Sequence, residues 1–212
     1  GELYGLFAML VVTALISIAV SAQTPYEKDM RKAFGLWETG QPWEAVTLFE
    51  RIASEVPDNW LPPFYAAQVS VIASFGEKDK AKLTQQLNRA QGFLNAATAL
   101  SKDNPELKVL EAQWFTAWIV FDGEEYGMKY AGKVSQLYTE AEKMAPDNPR
   151  VVMGKAEWDM GSARFFGQPT APYCKDLERA LKLFGEEGPQ GEFYPQGGAE
   201  RAKGVLATQC KS

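Results

Sequence analysis

A chain of 212 residues, 46% of them hydrophobic, is long enough for one sizeable core or one solenoid, and that apolar content argues against disorder. Its formal charge of −5, with no run of Lys and Arg, speaks against a nucleic-acid partner, because phosphate binding needs a basic footprint. His is absent, which removes the usual general base near neutral pH and the commonest metal ligand.

Residues 3–22 carry no charge, and Val20-Ser21-Ala22 presents small side chains where a signal peptidase cuts. We expect residues 1–22 to be a secretory signal peptide, with Gln23 opening the mature chain. A retained membrane anchor is the competing reading, since about 20 apolar residues span a bilayer. On either reading the expected location is the periplasm or cell envelope, and a membrane is a partner only if residues 1–22 are kept.

From Tyr26 to Glu38 the residues Met30, Ala33, Phe34 and Trp37 recur at helical spacing. Gly40-Gln41-Pro42 breaks the pattern. Trp43 to Val56 resumes it, with Ala45, Leu48, Phe49 and Ile52 on one face, and Val56-Pro57-Asp58-Asn59 closes the unit. The next helix, Trp60 to Phe75, places Pro62 and Pro63 in its first turn, where a missing amide costs little. A charged loop, Gly76 to Lys80, leads to a helix over about Lys82 to Leu100 that repeats the pattern as Ala90, Leu94 and Ala97, and Ser101-Lys102-Asp103-Asn104 ends it.

The helix expected over 106–121 carries Trp114, Phe115, Trp118 and Phe121 on more than one stripe, which reads as a core buried on several sides rather than a ligand cage. A loop over 122–127 precedes a long helix ending at Met144, closed by Ala145-Pro146-Asp147-Asn148. A fourth first helix, about Arg150 to Phe165, carries Ala156 and Trp158, and Asp176 to Phe184 reads as its partner. The Gly- and Pro-rich stretch 185–198 is a loop, and a last helix over about 199–209 covers the end of the stack, as a terminal repeat must.

The closures fix a register. Five residues after each Asn stand Phe64, Val109 and Met153, and eight after it stand Ala67, Ala112 and Ala156; the same spacing run backwards finds Met30 and Ala33. Asn caps a helix start, and Pro105 and Pro149 then sit where the first turn needs no donor. From Ala33 to Ala67 is 34 residues, the tetratricopeptide interval, whereas the next two intervals are 45 and 44. The extra residues are expected between the paired helices. Cys174 and Cys210 flank the final section, and an even Cys count in an exported chain favours a disulfide tying the last helix to the fourth unit.

These residues resemble the signal-peptide-bearing tetratricopeptide (TPR) proteins of Gram-negative cell envelopes, a type common in Bacteroidota. The resemblance rests on Ala22-Gln23, the three closures and the alanine register, and covers about residues 26–165 well. It implies an all-α, right-handed TPR-like solenoid of about four helix pairs plus a C-terminal capping helix, over residues 23–212. The units are about 26–59, 60–104, 105–148 and 149–188, with the cap at 199–210.

The implied function is a scaffold that binds a protein or peptide partner, with no cofactor and no metal. Such stacks hold partners on the inner face of their first helices. The position after each register alanine, Phe34, Gln68, Gln113 and Glu157, together with Trp37 and Glu38, supplies the candidate groove residues. An enzyme is not expected: Glu124-Glu125 and Glu186-Glu187 are neighbours that do not face one another on a helix, and no phosphate loop, Ser/His pair or Cys/His cluster is present. The alternatives are a membrane-tethered assembly factor for an envelope complex, and a small-molecule or glycan binder, whose sign would be an enclosed aromatic pocket.

Overall fold

The computed structural model describes residues 23–210, so the leader expected over residues 1–22 lies outside the described residues. Among the described residues there are nine α-helices and no strand: α1 (Pro25–Glu38), α2 (Pro42–Glu55), α3 (Leu61–Ser74), α4 (Lys80–Leu100), α5 (Pro105–Phe121), α6 (Gly123–Met144), α7 (Pro149–Phe165), α8 (Cys174–Glu186) and α9 (Ala199–Gln209). Each packs on its neighbour in the chain, and α3 also touches α5 and α5 touches α7, so the odd-numbered helices line up side by side. The fold is the expected all-α solenoid of paired helices. Among the described residues no helix is long and apolar enough to cross a membrane.

The three asparagines of the closures do one job. Oδ1 of Asn59 accepts from the Leu61 amide at 3.0 Å, that of Asn104 from Glu106 at 2.9 Å, and that of Asn148 from Arg150 at 2.9 Å. Each satisfies an amide left orphaned at a helix start. The side-chain amides reach further back: Asn59 donates to the Tyr26 hydroxyl on α1, and Asn148 to Glu106 on α5. At these two closures the asparagine therefore ties the helix it begins to the odd helix before it, whereas the Asn104 side-chain amide donates to Ser101 of its own closure. Where Lys102 replaces the proline, Asp103 takes a left-handed φ of 54°, a region that Asp tolerates better than most residues.

The register alanines are core. Ala33, Ala67 and Ala112 are 0% exposed and Ala156 1%, and Ala45, Ala90 and Ala141 of the partner helices are equally buried. A side chain of one carbon lets paired helices approach closely. Ala202 of α9 is also 0% exposed, 46 residues after Ala156. The ninth helix is thus a fifth odd helix in the same register, which the missing Pro-Asp-Asn before it conceals.

Two expectations need correction. The longer units do not carry an inserted loop; their extra residues lengthen the helices, from 14 residues in α2 to 21 in α4 and 22 in α6, and from 14 in α3 to 17 in α5 and α7. Residues 123–127 are likewise helical rather than loop. Oδ1 of Asp122 caps α6 by accepting from the Glu125 amide at 3.1 Å, and Glu124 and Glu125 lie at the positive end of the helix dipole. Together these outweigh the helix-weakening Gly123 and Gly127.

The aromatic helix α5 is packed as expected: Trp118 is buried, and Nε1 of Trp114 donates to the Leu87 carbonyl at 2.8 Å. Cys174 and Cys210 are joined in a disulfide with their Cα atoms 5.8 Å apart, so the end of α9 is fastened to the start of α8.

Candidate functional site

On an α-helix, residues four, seven and eleven apart share one face. Counting from the candidate groove residues, that face of α3 carries Leu61, Tyr65, Gln68, Ile72 and, toward its edge, Phe75. The face of α5 carries Glu106, Leu110, Gln113, Ala117 and Val120, and that of α7 carries Arg150, Gly154, Glu157, Gly161 and Arg164. Because these helices lie side by side, the three stripes form one continuous inner face, with Arg31, Phe34 and Glu38 extending it onto α1.

The N-terminal half of this face is already occupied. The Gly/Pro-rich segment between α8 and α9 leaves α8, runs back over the groove to α1 and α3, and returns to start α9. At its beginning Glu187 holds Arg150 in a bidentate pair at 2.9 and 2.8 Å, while the Nε of Arg150 donates to Glu106 at 2.8 Å. These side chains are only 10–11% exposed. Burial works against the Arg150 charge, but the two carboxylates outweigh it and hold its pKa above the ordinary value. A buried pair of this kind adds little net stability over apolar packing, yet losing one partner strands a charge, so it fixes the place where the segment begins.

Midway along its length, where it reaches α1 and α3, the segment inserts Phe193. The ring packs edge-on to Tyr26 and stacks on Phe34, with centroids 5.8 and 5.9 Å away, and the Arg31 guanidinium lies 5.5 Å above it. Arg31 also pairs with Glu192 at 3.4 Å, and the Tyr65 hydroxyl donates to the Phe193 carbonyl. Burial first, and the nearby Glu106 second, push the Tyr65 pKa above its ordinary 10.0, so this donor keeps its proton. Tyr194 meets Trp60 edge-on, leaving a cleft of about 570 Å³ against the Pro57-Asp58-Asn59 turn.

The candidate residues divide accordingly. Phe34 lies between Phe49, Tyr65 and Phe193, inside the packed end of the groove. Trp37 is half-buried against the same core, and Glu38 is exposed at the rim. Gln68 and Gln113 are half-buried in the middle of the face. Glu157 is taken by α9: the Arg201 Nε lies 3.0 Å from both of its oxygens, and this hydrogen bonding, against burial, raises the Arg201 pKa. Sequence reasoning missed Arg31, Tyr65, Arg150 and Phe193; the one available signal was an aromatic pair, Phe193-Tyr194, inside a stretch otherwise made of Gly, Pro, Gln and Glu.

The C-terminal half of the face is open. Ile72, Phe75 and Val120 are 42%, 38% and 61% exposed, and Phe165 and Phe166 stand out at the matching end of α7. Between α3 and α5 a cleft of about 420 Å³ is lined by Ala117, Val120 and Phe121 and by the charged Glu77, Lys78 and Asp122. Among the described residues no cluster of His, Cys, Asp and Glu is placed to hold a metal ion.

No family model matches the chain, and no curated protein matches it. Two solved structures do. The chain is similar to the HusA haemophore from Porphyromonas gingivalis, with a TM-score of 0.74 and 21% identity over 89% of this chain and 96% of that one. It is also similar to a thermophilic TPR protein of Thermus thermophilus, with a TM-score of 0.54 and 16% identity over 86% of this chain and 99% of that one. At such identities the likeness is one of fold, and it places the molecule among TPR-like helical stacks.

Proposed function

We propose that this is an exported binding protein that carries a flat, largely apolar ligand of the haem class at the open end of its inner face. The observation that carries the reading is the row of exposed apolar side chains at the C-terminal ends of α3, α5 and α7, one of which, Val120, lines a cleft of a size usual for small-molecule sites. Its support from outside the chain is the likeness to a haemophore along nearly that protein's whole length. Export is supported by the disulfide, which belongs to oxidising compartments, and by the uncharged stretch 3–22.

With no His in the chain, an iron porphyrin here is held by apolar contact and stacking rather than by imidazole, and Lys78 is the basic side chain at the cleft for its carboxylates. Titration of residues 23–212 with haemin, and separately with the iron-free porphyrin, tests this. Saturable quenching of tryptophan fluorescence by both is expected, with Val120→Glu weakening it at least tenfold while helical content stays. An unsaturable response to both, or one indifferent to Val120→Glu, ends the reading.

A protein partner is the second reading, favoured by the polar stripe Gln68–Gln113 across successive odd helices and by the likeness to a TPR protein. Here capture of a defined envelope protein should be lost in Gln68→Ala/Gln113→Ala while haemin binding is retained.

A further inference from the structure

Antiparallel helices that pack on each other, as α8 and α9 do, are usually joined by 2–8 residues. Residues 187–198 are more than that join needs, and they travel across the inner face to α1 and α3. They form no helix beyond a single turn and no strand among the described residues. They lie instead as a bound peptide lies, held by the Glu187 carboxylate at the start and by a caged aromatic side chain, Phe193, at the middle.

The groove beneath has a definite chemistry. Arg150 and Arg31 supply two guanidiniums, one buried and one exposed. Tyr26, Phe34 and Trp60 supply aromatic surface, and the Tyr65 hydroxyl donates to a backbone carbonyl. The internal occupant meets that chemistry under constraint. Phe193 sits at φ 63°, a left-handed conformation that a bulky residue adopts only at a cost, because both ends of its segment are fixed to helices. The disulfide closes that fixture by binding Cys210, just past α9, to Cys174.

We propose that the groove is a recognition site for an extended segment of a partner protein carrying a carboxylate directly before an aromatic residue, and that residues 188–197 are the built-in occupant it displaces. A free segment with the same Glu-Phe pair makes the contacts of Glu192 and Phe193 without the left-handed strain, and leaves the Glu187–Arg150 pair in place. It competes with an occupant at an effective concentration on the order of mM, so its apparent affinity for the intact chain falls by the fraction of time the groove stands open. This site is separate from the open apolar end, and haemin titration there neither supports nor removes it.

The probe is a blocked synthetic peptide, Pro-Gln-Gly-Glu-Phe-Tyr-Pro, labelled for fluorescence anisotropy. A variant with residues 188–197 replaced by Gly and Ser should bind it at least tenfold more tightly than the intact protein, and Phe→Ala in the peptide should lower that affinity at least tenfold. Phe193→Ala in the full chain should fall between. Hydrogen exchange on the intact protein gives a readout that needs no variant to fold: saturating peptide should raise exchange across 188–197, and the alanine peptide should not.

A folded replacement variant that ignores the peptide, equal binding of the two peptides, or unchanged exchange under saturating peptide each overturns the proposal. Sedimentation showing intact chains dimerised by exchanging this segment would also overturn it, by making the occupant a second copy.

Discussion

The two ends of the stack hold together in different ways. From α1 to α6 the cohesion is apolar: Phe49, Phe64, Leu83, Leu87, Leu110 and Leu137 are 0–1% exposed, and rings such as Phe34, Phe49 and Tyr65 pack on one another across three helices. In α8 and α9 only Leu177, Ala180 and Ala202 are buried. There the chain adds a covalent bond, Cys174–Cys210, and close ion pairs between elements, Arg201 with Glu157, Arg179 with Asp147 and Arg150 with Glu187 at 2.6–2.8 Å, against 3.2–3.6 Å for the pairs that link helices within α1–α6. An internal helix of a solenoid buries two faces against neighbours, whereas a terminal one has a neighbour on one side only. Where apolar burial is halved, cross-links take over.

The sharpest way to break this contrast is to damage each end in its own currency. Phe64→Ala empties a fully buried site between α3 and its neighbours and should destabilise by about 3–5 kcal/mol in urea unfolding, with loss of the N-terminal pairs as a unit. Replacing both Cys174 and Cys210 by Ser releases a loop spanning a separation of 36 residues and should cost about 2–4 kcal/mol. That loss should be local: amide exchange rises in α9 and along residues 187–198, while α1–α6 keep their protection. If the Cys variant opened the N-terminal helices equally, the two ends would be one cooperative unit and the contrast would lapse.

Between these lies the register itself. Ala112 is wholly buried among Val134, Leu137, Tyr138, Ala141 and Val151, so Ala112→Leu forces extra volume between α5 and α6 and should cost about 1–3 kcal/mol in thermal or urea unfolding. A variant as stable as the parent would mean that the alanines mark no close helix approach.

The same contrast governs what the sequence discloses. Caps and small packing residues act within one helix or between chain neighbours, so Asn59, Asn104 and Asn148 and the alanines at 33, 67, 112 and 156 are readable from spacing alone. The length of α6 is harder, because Gly123 and Gly127 weigh toward a break and the deciding hydrogen bond comes from Asp122. The filling of the groove is not local at all. Phe193 finds its cage on α1 and α3, far away in the chain, and no periodicity in residues 185–198 encodes that. Ala202 shows the intermediate case: its spacing from Ala156 fits the series, but Glu192-Phe193-Tyr194 stands where a Pro-Asp-Asn closure would have announced it.

The smallest effect asks whether the asparagines do more than cap. Both Asn104 and Asn148 accept from a helix amide, a role Asp fills as well and with a slight gain from the helix dipole. Their side-chain amides differ: that of Asn104 donates to the Ser101 hydroxyl, which can turn and donate to a carboxylate instead, whereas that of Asn148 donates to Glu106. Asn104→Asp should therefore stay within about 0.5 kcal/mol of the parent in urea unfolding. Asn148→Asp sets a second carboxylate against Glu106 and should cost about 1 kcal/mol, because a hydrogen bond to a charged group is replaced by repulsion. Equal costs at the two sites would mean that the link from α7 back to α5 contributes nothing, and that each closure acts only on the helix it begins.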